Sequence, residues 1–176
     1  YILSRIAQEG AAYSEVLKEA QQLGYAEADP AADVEGFDAA DKIAILSGLA
    51  FGGAINRADI PTQGITTLTN RDVDYANKLG YVVKLLAVAE RLDKEIQTSK
   101  MSLPLAVWVQ PTLLPEHHPL AGVNGVNNAI LVEGDPIGEV MFYGPGAGEG
   151  PTASAVVADI LNIAGVRKIE NKNQSL

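Results

Sequence analysis

The spacing of apolar residues changes partway along the chain, and this change limits the possible folds more than any other feature. Up to about residue 78, apolar residues recur at helical spacing between glycines and prolines. From residue 103 onward, short apolar runs bounded by turn residues indicate strands, including a hairpin around Gly134 and Asp135. Helices first and paired strands later predict an α+β fold, with a mainly antiparallel or mixed sheet and helices on one face.

The boundaries of these elements follow from capping residues and breakers. For residues 81–89 the choice between a buried strand and a helix stays open, because periodicity alone cannot decide it. Residues 91–102 are polar and are expected to form a turn. We expect helices over 1–9, from Ser14 to Gly24, over 38–51, from Thr69 or Asn70 to Lys78 and over 152–164, and strands over 103–113, 127–133 and 137–143.

Composition removes several classes of function. The net charge of −9 argues against nucleic acid and anionic lipid as partners. The sequence has no cysteine, which excludes disulfides, zinc–thiolate sites and thiol nucleophiles, and it has only two histidines. It also lacks the run of about 18 apolar residues that a membrane-spanning helix needs. Because the chain begins at Tyr1 without a leader sequence, we expect a piece of a longer, cytoplasmic protein.

An acidic segment, residues 27–41, carries the first candidate site. Lys42 follows it directly and is the nearest cation in sequence. In a helix, Lys42 shares a face with Asp38 and with apolar residues at 45, 46 and 49, so we expect its ammonium beside an apolar stripe. The acidic members are Glu27, Asp29, Asp33, Glu35, Asp38 and Asp41.

Two interpretations of Lys42 remain open at this point. A lysine in a partly desolvated cleft among carboxylates has the balance of effects that a proton donor and acceptor near neutral pH requires. Alternatively, Asp38 and Lys42 form an ordinary helix ion pair, worth about 0.3–0.5 kcal/mol. A calcium site on the same segment is disfavoured, because the spacing of the acidic residues is irregular.

A glycine-rich turn between a strand and a helix is the second candidate. The sequence GPGAGEG, residues 144–150, allows a close backbone approach and leads into a helix N-terminus that exposes N–H groups. Its spacing is not that of a dinucleotide-binding fingerprint, so a structural turn is an equal alternative. The adjacent His117 and His118 lack ligands at metal-binding spacing, and no metal site is predicted.

Three stretches together resemble the catalytic domain of homoserine dehydrogenases. They are LGYAEADPAADVEGFDAADKIAIL (23–46), TLLPEHHPLAGVNGVNNAILVEGD (112–135) and MFYGPGAGEGPTASAVVADIL (141–161). The opening ILSRIAQEGAAYSEVLKEAQ is also similar to that family, so the resemblance extends from residue 1 to about 165.

The resemblance implies an activity and roles for particular residues. Members of the family interconvert L-homoserine and L-aspartate 4-semialdehyde with NADP or NAD, in threonine, methionine and isoleucine synthesis. Lys42 stands at the position of the family's proton-transfer residue. Glu27 and Asp38, and less clearly Asp33, match the carboxylates that hold the amino acid. Gly24, Gly146 and Gly148 match backbone elements near the cofactor.

The chain also departs from the family pattern. The dinucleotide-binding strand–turn–helix, a second substrate-contacting lysine and a cation site would all lie upstream of this sequence. We therefore expect residues 1–150 to form the catalytic and dimerisation domain, 151–165 a helix that packs on the absent nucleotide-binding domain, and 166–176 a polar tail. The isolated chain is expected to be nearly inactive and to form a homodimer. The alternative is a non-catalytic dimerisation module.

Overall fold

A computed structural model describes residues 1–92, 105–146 and 148–173. It confirms the α+β class, although the described strands form two separate two-stranded antiparallel sheets instead of one. Two short 3-10 helices, Arg57–Asp59 and Pro119–Gly122, lie in the connections. The elements in chain order are α1 (Ile2–Glu9), α2 (Tyr13–Gln22), α3 (Ala31–Val34), α4 (Phe37–Phe51), α5 (Asn70–Lys78), β1 (Tyr81–Arg91), β2 (Leu105–Pro115), β3 (Asn127–Gly134), β4 (Gly138–Pro145) and α6 (Glu149–Asn173).

The chain divides into two compact units, Tyr1–Gly125 and Val126–Leu176. These two units are defined by packing within the chain. The domain boundary predicted at residue 150 concerns packing against a nucleotide-binding domain outside this sequence, and it stays a prediction. The turn expected over 91–102 lies outside the described residues from 93 onward.

The helix ends in the first unit follow local chemistry. Helix α1 ends as predicted at Gly10, whose φ of 65° is left-handed and whose N–H donates to Ile6 O. Helix α5 begins with the predicted Thr69, which forms a capping box with Asp72. The prediction that Ser14 caps α2 is wrong: Ala12 occupies the cap without a side-chain hydrogen bond, and Ser14 already lies within the first turn.

Strands β1 and β2 pair along their full lengths, which settles the open choice for residues 81–89 in favour of a strand. The register places Ala87 opposite Val109. Helices α1, α4 and α5 pack on this sheet and form two clusters of buried side chains. One cluster contains Ile6, Val16, Val73 and Val83 among others, and the other contains Ala40, Ile60 and Val109.

The second unit is a hairpin followed by a helix. Strands β3 and β4 pair from Asn127↔Pro145 to Gly134↔Gly138, which confirms the predicted hairpin. Helix α6 continues to Asn173, so the predicted helix end at residue 164 is wrong. The sequence RKIENKN after Val166 contains neither glycine nor proline and is rich in good helix formers, which accounts for the continuation.

Candidate functional site

The acidic segment folds as one short helix joined by a tight turn to α4. Asp29 Oδ1 accepts a hydrogen bond from Ala31 N at 3.2 Å, which supports the start of α3 after Pro30. Gly36 lies between the two helices with a φ of 79°, a left-handed conformation that glycine adopts without strain. The turn at Gly36 joins the two helices, with Asp33 near the end of α3 and Asp38 near the start of α4.

The pKa of the Asp33 carboxyl group shows which of the predicted site residues interact with it electrostatically. Burial raises its pKa above the usual value, and the negative charges of Asp38 and Glu27 raise it further. The positive charge of Lys42 acts in the opposite direction. Asp33 thus lies close enough to the other three predicted site residues to interact with each of them electrostatically.

Lys42 itself forms the ion pair that its spacing predicts. Its Nζ lies 2.5 Å from Asp38 Oδ2, and the two side chains are 63% and 48% exposed. The expectation of a partly desolvated ammonium is wrong for this chain, because nearly two thirds of the lysine side chain faces solvent.

The apolar stripe next to Lys42 is also exposed, with Ile45 at 66% and Leu49 at 79%. Helix α4 instead buries the face that carries Ala40 and Ser47 against the sheet. Small residues face the sheet because they allow the helix to lie close to β1 and β2, and Ile43 packs beside them.

Arg57 is a second cation at this turn, and local spacing did not predict it. Its Nε lies 3.1 Å from Asp41 Oδ1, and its guanidinium lies over the Phe37 ring at 4.7 Å from the centroid. Because Arg57 follows α4 and a glycine pair, only the folded chain brings it back to the start of that helix.

The backbone around Glu27 is held by the end of α2. Gln21 Nε2 donates to Glu27 O at 3.0 Å and to Ala28 O at 3.3 Å. Gly24 follows the helix with a φ of 74°, and a β-carbon at this position would meet no atom within 4 Å. Gly24 thus makes the turn that presents Glu27, and a contact with a cofactor at Gly24 stays a prediction.

The glycine-rich turn lies in the second unit. A β-carbon on Gly146 would lie 2.2 Å from Asn128 Nδ2, so a side chain there would require the Asn128 side chain on β3 to move. Gly148 has a φ of 114°, and its carbonyl accepts a hydrogen bond from Thr152 N at 3.1 Å as α6 begins. A β-carbon on Gly148 would meet only Pro151 Cδ, at 3.8 Å, so this backbone is open to a ligand.

Lys84 is a partly buried cation that the sequence analysis passed over. Its ammonium donates to Val123 O and, at 3.0 Å, to Asn124 Oδ1. Burial lowers its pKa below the usual value. Since its partners are loop oxygens, Lys84 fixes the segment that follows the second 3-10 helix.

His118 has a structural role. His118 Nδ1 accepts a hydrogen bond from Leu120 N at 3.1 Å and caps the 3-10 helix Pro119–Gly122. Among the described residues, no three acidic or histidine side chains are grouped to hold a metal ion. None of the helices in the described ranges combines the length and apolar character needed to cross a membrane.

Comparison with known proteins gives a consistent result. The family model described as homoserine dehydrogenase matches residues 1–161. A homoserine dehydrogenase of Synechocystis is 55% identical over 176 residues, covering all of this chain and 40% of the relative. One from Bacillus subtilis is 47% identical over 163 residues, covering 93% of this chain and 36% of the relative. The chain thus spans about two fifths of these relatives.

Solved structures agree with the sequence comparison. A homoserine dehydrogenase from Thiobacillus denitrificans superposes with a TM-score of 0.87 at 47% identity, covering 96% of this chain and 37% of that one. A hyperthermophilic archaeal homoserine dehydrogenase mutant in complex with NADPH gives a TM-score of 0.67 at 31% identity, covering 92% of this chain and 42% of that one.

Proposed function

This chain belongs to the homoserine dehydrogenase family, and we propose that it is the part of such an enzyme that binds substrate and transfers the proton. The proposed reaction is the NADP- or NAD-dependent interconversion of L-homoserine and L-aspartate 4-semialdehyde, in threonine, methionine and isoleucine synthesis. The observation that carries the proposal is the coupling of three carboxylates and one lysine around a single turn.

The carboxylates suit an amino-acid substrate. Glu27, Asp33 and Asp38 surround the turn with negative charge, and the ammonium group of L-homoserine is a cation that carboxylates bind through short, directional hydrogen bonds. Bound substrate ammonium would offset the repulsion that raises the pKa of Asp33. We propose that these three residues hold the amino acid and that its side-chain oxygen faces Lys42.

Lys42 has the chemistry for the proton step. In the oxidation direction its amine accepts the hydroxyl proton of homoserine while the carbon loses hydride and becomes an aldehyde. In the reduction direction its ammonium donates that proton to the developing alkoxide. Asp38, 2.5 Å from Nζ, orients the amine and balances its charge.

The nicotinamide, when bound, supplies the hydride acceptor or donor. The open backbone at Gly148 and the start of α6 fits the approach of such a group. The sequence contains no glycine-rich βαβ unit that would hold the rest of a dinucleotide. We propose that this unit is supplied by an upstream nucleotide-binding domain, on which α6 packs through its exposed Val156, Ile160 and Leu161.

The proposal also includes a homodimer and a cytoplasmic location. A homodimer is supported by Leu86, Val88 and Trp108, apolar side chains of the β1–β2 sheet that alternate with those facing the helices. A cytoplasmic location is compatible with the lack of cysteine.

The test uses a hybrid enzyme, in which this chain replaces the matching segment of the Synechocystis relative. We predict that the hybrid enzyme reduces NADP or NAD in the presence of L-homoserine, and that the 176-residue chain alone does so at less than ~1% of that rate, because orienting two reactants accounts for much of the catalysis. Cofactor reduction is followed by absorbance. A folded hybrid enzyme without homoserine-dependent turnover would contradict the proposal and favour a non-catalytic dimerisation module.

A further inference from the structure

The backbone of Gly64 lies so close to the backbone joining α3 and α4 that no side chain fits at this position. A β-carbon at Gly64 would lie 2.1 Å from Val34 O, 2.4 Å from Glu35 Cα and 2.8 Å from Glu35 C. All three are backbone atoms, so a side-chain rotation cannot relieve the overlap. The backbone of Gly64 and the backbone joining α3 to α4 therefore pack directly on each other.

The chain on both sides of Gly64 is hydrogen-bonded to two different elements. Ile65 N donates to Val34 O at 2.7 Å, which attaches the segment to the acidic turn. Gln63 N donates to Val109 O at 2.8 Å, and Val109 N donates to Pro61 O at 2.9 Å, which attaches it to β2. Residues 61–65 thus form a bridging segment between the sheet and the turn.

Gly36, within the turn, also packs closely against Thr62 of the bridging segment and Val109 of β2. A β-carbon on Gly36 would lie 3.2 Å from Val109 Cγ1 and 3.4 Å from Thr62 Cγ2. Asp33 and Asp38 lie on either side of this contact, one at the end of α3 and one at the start of α4. Their positions relative to the sheet are therefore fixed by backbone contacts with residues 61–65.

We propose that the bridging segment, through the close contact at Gly64, sets the position of the substrate-binding carboxylates, and that Gly64 is a positioning residue. This inference rests on the proposed function of Asp33 and Asp38. Gly64 touches no substrate in this account. It acts by holding the turn, and a displacement of about 1 Å in such a group can reduce turnover by up to ~10²-fold.

The first test compares two glycine-to-alanine variants of the hybrid enzyme. Gly64→Ala pushes the turn away from the sheet, and we expect the KM for L-homoserine to rise at least ~10-fold while the KM for the cofactor changes less than ~2-fold. Gly122→Ala is the matched control, because nothing lies within 4 Å of a β-carbon there and its φ is not left-handed. A folded Gly64→Ala variant with the KM values of the control would overturn the inference.

The second test uses the unsubstituted hybrid enzyme, so it holds even where Gly64→Ala fails to fold. Hydrogen exchange of backbone amides is measured with and without saturating L-homoserine and cofactor. We expect slower exchange in residues 27–42 and also at the Gln63 and Ile65 amides. Slower exchange in 27–42 alone would overturn the inference and leave the proposed function intact. Unchanged exchange in both regions would overturn the proposed function and the inference with it.

Discussion

At the scale of single residues, Lys42 and Lys78 make nearly the same ion pair. Lys78 Nζ lies 2.6 Å from Asp74 Oδ2, and Lys42 Nζ lies 2.5 Å from Asp38 Oδ2, both at helical i,i+4 spacing and both largely exposed. Such pairs stabilise a helix by only about 0.3–0.5 kcal/mol. The pair at Lys42 differs because Glu27 and Asp33 lie nearby, so its surroundings and not its geometry indicate a function.

Spacing predicted the Asp38–Lys42 pair but not the environment of the lysine. Positions four apart on a helix are always neighbours, so the pair followed from the sequence alone. Which face of α4 is buried depends on the sheet against which it packs, and this is tertiary information. Partners distant in sequence, Arg57 for Asp41 and Gly64 for the turn, were missed for the same reason.

Asp33 gives a prediction on stability and pH. Its pKa is raised on folding, so the folded state disfavours the ionised form, and stability falls as pH rises above the usual value of 3.8 through the raised pKa. Asp33→Asn removes this cost. We expect the variant to unfold at a higher temperature at pH 7, by at most about 3 °C, because Asp33 is only partly buried and solvent screens much of the effect.

Thermal unfolding of this chain and its variant between pH 4 and pH 8 measures the effect. The difference between the two should shrink towards pH 4, because the stability cost of the raised pKa disappears as pH falls towards the usual value of 3.8. A variant that is less stable at pH 7, or a difference that grows as pH falls, would refute the assignment. Asp29→Asn is a control on the same segment.

At the scale of elements, the capping box of α5 gives a second stability prediction. Thr69 Oγ1 accepts from the backbone N–H of Asp72 at 3.3 Å. Thr69→Ala removes this bond, and we expect a loss of about 1 kcal/mol in the free energy of unfolding. Thr67→Ala, at an exposed threonine before the helix, should change it by less than about 0.5 kcal/mol. Urea denaturation of both variants compares the two, and equal losses would contradict the capping role.

Elements with strong local signals were predictable, and those that depend on pairing were not. The helix ends predicted at residues 9 and 51 and the helix start predicted at Thr69 or Asn70 are confirmed. Residues 81–89 carried no such signal, because their strand state depends on pairing with β2. Helix α6 ran past its predicted end because no breaker follows Val166.

At the scale of the whole molecule, each of the two units carries exposed apolar side chains. Ile45 and Leu49 on α4 and Ile160 and Leu161 on α6 are each more than half exposed. Patches of this kind commonly mark contacts with other chain segments. The chain spans about two fifths of the length of its relatives. In our proposal, other segments of the whole enzyme complete the site around Lys42, which is exposed in this chain.

The most direct test of that proposal compares Lys42→Ala with Lys78→Ala in the hybrid enzyme. Both substitutions break an exposed i,i+4 ion pair of similar length, and Lys78→Ala also removes an ammonium that lies 5.9 Å from the centroid of the Tyr75 ring. If Lys42 transfers the proton, Lys42→Ala lowers kcat for homoserine oxidation at least ~10²-fold, whereas Lys78→Ala leaves kcat within about twofold. A Lys42→Ala variant that turns over as fast as the Lys78→Ala control would contradict the central claim.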